Sequence, residues 1–141
     1  MQSLGKILIT LSIAIFTFIP PIADLATTTH VFHPGWMPHA RVHTVWLLGL
    51  TSSIGLVALY LLWKRKPDAD TGLNLAAVLA ACVYGAFFLS AITASLYGGA
   101  LTDAEGGIAN RIFGLDANVF TFSVASILLM AGWSLARFKQ S

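Results

Sequence analysis

Hydrophobic residues run along this chain in four continuous stretches, at about residues 4–23, 42–63, 73–97 and 117–136. A helix that crosses a membrane needs roughly 20 mostly apolar residues, so each stretch is long enough. The stretches do not alternate between apolar and polar positions, which excludes the strands of a membrane β-barrel. The pattern therefore predicts one all-α domain over residues 1–141, an integral membrane four-helix bundle.

The first stretch also has features of a secretory signal peptide, because Lys6 precedes its apolar core. Residues 20–26, which follow that core, form a poor cleavage site because they lack the small-x-small pattern. We therefore expect an uncleaved membrane helix.

The composition supports a membrane protein. Hydrophobic residues make up 57% of the chain, charged residues only 10%, and the mean hydropathy is +0.79. Soluble domains carry about 25% charged residues. The net charge of +2 comes from Lys and Arg at the ends of the stretches, so nucleic acid is not expected as a partner. Cys82 is the single cysteine and has no partner for an internal disulfide.

Positive charge predicts how the bundle is oriented. Lys6, the run 64–66, and Arg137 with Lys139 all fall on one side of a four-span layout. Loops rich in Lys and Arg stay in the cytoplasm, so both termini are expected there, with the protein in a bacterial inner membrane. The acidic side chains of the opposite, outer side are Asp24, Asp103, Glu105 and Asp116.

All four histidines lie within residues 29–43, THVFHPGWMPHARVH, between the first two spans and at the start of the second. Pro20 and Pro21 should end or kink the first helix just before this stretch. Pro38 suits the first position of the next helix, where its missing N–H costs nothing. His39 and His43 then share a helical face with Trp46 and Leu50, while Arg41 points away from it. The sequence does not set the direction of His30 and His33.

A metal site is one interpretation of this stretch. Two imidazoles four residues apart, His39 and His43, can clamp a divalent transition metal, and His30 or His33 could complete the site. Further ligands could come from the carboxylates of Asp24, Asp103 or Glu105. No HExxH motif or cysteine ligand accompanies the histidines.

A second interpretation is a site for a lipid headgroup or a small apolar ligand. The helix that begins at Pro38 presents N–H groups at headgroup depth beside Arg41, which favours an anion. His39 or His43 could then act as general acid or base, so whether the protein is an enzyme stays open. The spans hold no charged residue at mid-depth, which argues against ion transport. The predicted ligand-binding residues are His30, His39, Arg41, His43, Asp103 and Glu105.

The third interpretation is structural: the histidines cap helices and tie the outer loops together in an accessory subunit. Ala77, Ala81 and Gly85 form a stripe of small residues that would let a partner subunit or a second copy approach. In the second outer loop, Asp116 is predicted to cap the fourth helix. Asp103 and Glu105 could pair with Arg41 or Arg111 as a salt-bridged lid over the outer face.

The histidine stretch resembles a pattern shared by a group of small four-span membrane proteins of bacteria and fungi. That pattern is Thr-His-x-Phe-x-Pro-x-Trp-x-Pro-His-Ala-Arg-x-His. The residues that match it are Thr29, His30, Phe32, Pro34, Trp36, Pro38, His39, Ala40, Arg41 and His43. The resemblance implies that His33 occupies a variable position, and it implies no particular activity. A looser likeness in architecture, to the sterol-isomerase and sigma-2-receptor group, lacks the acidic pocket residues of those proteins.

Overall fold

The computed structural model describes residues 2–28, 30–64, 69–101 and 111–137. These contain four α-helices: α1 (Gln2–Ala26), α2 (Pro38–Trp63), α3 (Ala69–Thr93) and α4 (Ala117–Arg137). All four are long and apolar enough to cross a membrane. The predicted all-α four-helix bundle of a membrane protein is confirmed.

Short elements follow α3 and precede α4. A 3-10 turn (Ala94–Tyr97) continues α3, and Gly98 ends it in the left-handed conformation with φ 69°. Strands β1 (Arg111–Ile112) and β2 (Leu115–Asp116) pair antiparallel around Phe113 and Gly114, which both have positive φ. A two-residue hairpin turn with positive φ at both positions matches the twist of its strands.

Asp116 caps α4 as predicted. Its Oδ1 accepts hydrogen bonds from the main-chain N–H of Asn118 at 2.9 Å and of Val119 at 3.3 Å. These are the second and third residues of the helix, whose N–H groups have no acceptor within it. The fourth helix therefore begins where the sequence indicates.

Helix α1 does not end at its two prolines but continues to Ala26. Pro21 has no N–H, so the carbonyl of Thr17, four residues earlier, loses its usual helical donor. The hydroxyl of Ser52 on α2 donates to that carbonyl at 2.9 Å. Ser52 of the neighbouring helix thus replaces the hydrogen-bond donor that Pro21 lacks. Such a replacement is needed inside a membrane, where no water can bond to a free carbonyl.

Helices α1 and α4 approach each other closely through two glycines. A Cβ on Gly5 would lie 2.6 Å from the carbonyl oxygen of Gly132, and a Cβ on Gly132 would lie 2.7 Å from that of Gly5. Only glycine lets the two backbones come this close. The start of α1 therefore packs directly on the end of α4.

Hydrogen bonds of two buried polar side chains join α1, α3 and α4 inside the bundle. The Tyr84 hydroxyl of α3 donates to the main-chain carbonyl of Ser12 at 2.6 Å, and the Ser12 hydroxyl donates to the carbonyl of Ala125 at 2.8 Å. The remainder of the core is formed by buried apolar side chains. The larger among them are Ile9, Ile13, Phe16, Leu62, Leu73 and Leu129.

One end of the bundle carries cations stacked on aromatic rings, and we call it the basic end. Lys6 lies 5.8 Å from the Trp63 ring and Lys64 lies 5.5 Å from the Tyr60 ring. Arg137 lies 4.8 Å from the ring of Trp133. The connection between α1 and α2, which holds the histidines, lies at the opposite end, and we call that the histidine end.

Candidate functional site at the histidine end

The connection between α1 and α2 is built from two successive turns. The N–H of His33 donates to the carbonyl of His30 at 3.0 Å, and the N–H of Trp36 donates to the carbonyl of His33 at 3.1 Å. The His33 ring folds back on its own turn, because its Nδ1 accepts from the N–H of Gly35 at 3.2 Å. The His33 side chain therefore serves the loop locally.

His30 pairs with Asp24 across the end of α1. Its Nδ1 lies 2.8 Å from Oδ1 of Asp24, and the two side chains are 44% and 17% exposed. The Trp36 ring packs edge-on against His30, with centroids 5.2 Å apart. Asp24 can reach His30 because α1 continues past its prolines and carries the carboxylate on its last turn.

Arg41 fastens the connection to α2. Its Nη2 donates to the carbonyl of His33 at 2.8 Å, and its Nε donates to the carbonyl of Trp36 at 3.2 Å. Both acceptors are main-chain oxygens of the turns. Arg41 thus points away from the His39 face, in agreement with the helical geometry.

His39 and His43 form a pair on the outer surface of α2. Their Nε2 atoms lie 3.0 Å apart, and the rings meet edge-on with centroids 4.5 Å apart. Trp46 follows one turn later, 6.0 Å from the His43 ring. All three side chains are exposed. The predicted shared face is confirmed, and it points away from the bundle.

The predicted ligand-binding set is thus divided between two clusters. His30 and Arg41 belong to the connection, whereas His39 and His43 face outward. Among the described residues, no group of three or more His, Cys, Asp or Glu side chains could hold a metal ion. Asp103 and Glu105 lie outside the described residues, so their part in a metal site, a ligand site or a lid stays a prediction.

An open depression of about 420 Å³ lies beside the histidine pair on α2. Arg41, Val42, Val45 and Trp46 line it, and almost all of the lining surface is apolar. Arg41 has five N–H donors, and its hydrogen bonds to described residues use two of them. The depression is therefore an apolar surface that borders a charged side chain.

Two residues that matter at this end were not identified from the sequence. Asp24 appeared only as a candidate metal ligand, although it is the partner of His30. Ser52 was given no role, although it completes the proline-containing end of α1. The missing hydrogen-bond donor of Pro21 is the sequence signal that would have indicated a donor from a neighbouring helix.

The three small residues of α3 that are predicted to contact a partner do not share one surface. Ala77 is buried in the core, whereas Ala81 and Gly85 are exposed, and a Cβ on Gly85 would meet nothing within 4 Å. That surface is open to a partner. Comparison with known proteins identifies none, since no family model, curated protein or solved structure matches the chain.

Proposed function

We propose that this integral membrane protein binds an anionic lipid through the depression on α2, on the non-cytoplasmic side of its membrane. The observation that carries the proposal is the lining of that depression. An apolar surface of two valines and a tryptophan borders Arg41, whose guanidinium is bonded to the connection through two of its five donors. A phospholipid likewise joins a charged headgroup to an apolar acyl chain. The proposal is one of binding and assigns no reaction.

The charge distribution supports the orientation that the proposal needs. Lys6, Lys64 and Arg137 lie at the basic end, each against an aromatic ring. By the positive-inside rule this end faces the cytoplasm of a bacterial inner membrane, with both termini. Aromatic rings at headgroup depth anchor such an end at the interface. The histidine end then faces outward, which puts Arg41 among the outer headgroups.

The position of Arg41 on its helix adds to the attraction. Arg41 is in the first turns of α2, where main-chain N–H groups and the helix dipole favour a negative charge. Guanidinium binds phosphate in a bidentate manner and is more weakly hydrated than an ammonium group. Trp46 is amphipathic and suits the level just below the headgroup.

The resemblance in the histidine stretch fits the same proposal. Trp36 and Arg41 belong to the shared pattern, and the structure joins them through the Trp36 carbonyl. We propose that the pattern preserves the shape of the connection, which holds the Arg41 guanidinium beside the depression.

The test is lipid retention. Val45→Trp fills the depression while leaving Arg41 in place, and Val57→Trp adds the same ring to an exposed position farther along α2. Each protein is purified in mild detergent, offered phosphatidylglycerol or phosphatidylcholine, and examined by native mass spectrometry. We expect wild type and Val57→Trp to retain phosphatidylglycerol in preference to phosphatidylcholine, and Val45→Trp to retain about tenfold less.

Equal retention of the two lipids by the wild type would contradict the proposal, because nothing anionic would then be recognised. Unchanged retention by Val45→Trp would also contradict it, because the depression would then not be the site.

A further inference from the structure

We propose that His39 and His43 are one half of a divalent transition-metal site, and that a second copy of the chain supplies the other half. The copies would meet along what we call the outer stripe of α2, formed by His39, His43, Trp46, Gly49, Leu50 and Ser53. The outer stripe shares Trp46 with the lipid depression, but the metal ligands His39 and His43 do not line that depression, and the metal proposal does not depend on lipid binding.

The two imidazoles already hold the spacing that a metal ion requires. Metal–nitrogen bonds of roughly 2.0–2.1 Å put two ligand nitrogens about 3.3 Å apart at a tetrahedral angle and about 2.9 Å apart at a right angle. The Nε2 atoms of His39 and His43 are 3.0 Å apart. A metal ion would therefore replace the shared proton between the two rings with only a small movement of either ring.

The described residues of one chain supply two of the four ligands that a closed coordination shell needs. The described residues contain no group of three or more potential ligand side chains. Zinc in a closed site takes four ligands, and two copies of the pair provide four imidazoles. A second copy thus completes the ligand set with residues that the structure already places together.

The membrane brings the two pairs to the same depth. Two copies inserted with the same topology can be related by a two-fold axis only along the membrane normal. Each residue on that axis then faces its own counterpart. A contact along the outer stripe would therefore bring His39 and His43 of both copies to one level, at the histidine end.

The outer stripe is also shaped for close approach of another helix. A Cβ on Gly49 would meet nothing within 4 Å, so packing within the chain does not explain a glycine here. Glycine inside a helix is destabilising relative to alanine. The Ser53 hydroxyl donates to the Gly49 carbonyl at 2.8 Å and so is satisfied within its own helix. Small residues one turn apart let membrane helices pack closely.

The first experiment measures zinc binding and mass together. Purified protein in detergent is titrated with Zn²⁺ against a competing chelator, and its mass is followed by light scattering. We expect one zinc per two chains and a dimer that zinc stabilises. Loss of a single supporting hydrogen bond costs roughly 10- to 100-fold in metal affinity, so His43→Gln should cost at least about 100-fold.

His33→Gln is the matched control, because it removes an imidazole from the same stretch whose ring serves only the loop. It should keep the zinc affinity and the stoichiometry of the wild type. One zinc per chain in a monomer would overturn the proposal. Zinc binding that survives in both His39→Gln and His43→Gln would do so as well.

The second experiment locates the contact. In a Cys82→Ser background, Gly49→Cys should form a disulfide between copies under mild oxidation, and Zn²⁺ should increase its yield several-fold. Gly85→Cys is the control, since that glycine is equally open but lies on α3. Cross-linking through position 85 and not through position 49 would overturn the proposal by placing the contact on α3.

Discussion

The two halves of the histidine stretch use the same residue types in opposite ways. Before Pro38, the polar groups have partners within the fold: His30 pairs with Asp24, and the main chain of the turns accepts hydrogen bonds from Arg41 of α2. After Pro38, His39 and His43 bond only to each other among the described residues and face away from the bundle. The first half maintains the shape of the connection, whereas the second half presents ligands at the surface.

This difference shows that histidine content alone does not identify a site. The imidazoles before Pro38 lie in turns, where local main-chain groups and the end of α1 provide partners. The imidazoles after Pro38 lie on a helix, whose main-chain groups bond to each other and leave the rings unused by the fold. A test of function should therefore separate the two halves by stability and by binding.

The largest effect on stability is expected from Arg41→Ala. This change removes two hydrogen bonds from a charged donor to the carbonyls of His33 and Trp36. Such bonds contribute roughly 1.5–3 kcal/mol each, and less where water competes. Because Arg41 is partly exposed, we expect the two together to lower the free energy of unfolding by about 2 kcal/mol. The measurement is thermal unfolding in detergent, followed by tryptophan fluorescence.

His33→Ala is the control for Arg41→Ala, because Arg41 bonds to the main chain of His33 and not to its ring. It should lower stability much less. Equal losses for the two variants would mean that Arg41 does not fasten the connection.

A smaller effect is expected from the pair of Asp24 and His30. Their side chains are partly exposed, so screening by water limits the interaction energy to roughly 0.5–1 kcal/mol. A double-mutant cycle with Asp24→Asn and His30→Gln measures it from unfolding free energies. A coupling energy of zero would show that the 2.8 Å contact adds nothing to the stability of this half.

The smallest effect is expected from His39→Gln and His43→Gln in the absence of metal. Exposed side chains that serve no structural role change stability by less than about 0.5 kcal/mol. Unfolding in the presence of a chelator should therefore match the wild type. A loss as large as that for Arg41→Ala would remove the distinction between the two halves, because both would then hold the fold together.

Most of the fold could be predicted from hydrophobic length and helix-boundary residues. The four spans, the start of α2 at Pro38 and the cap at Asp116 all follow from local rules. The extension of α1 past Pro20 and Pro21 could not be predicted from local rules, because it depends on Ser52 of another helix. Local signals fix where a helix can begin, but packing determines whether a proline ends it.

The candidate site was predictable only in its helical half. A spacing of four residues places His39 and His43 on one face and directs Arg41 elsewhere, as observed. The partner of His30 could not be predicted, because the direction of a side chain in a turn depends on how the chain crosses between helices. Asp24 came within reach only through the longer α1.

The glycine contact between α1 and α4 has a consequence for biogenesis. Helices enter a membrane as they are synthesised, and they associate afterwards. The most extensive interface of α1 is with α4, so this interface can form only after the last of the four helices has been inserted. The Ser12 hydroxyl therefore gains its acceptor on α4, the carbonyl of Ala125, only at that last stage.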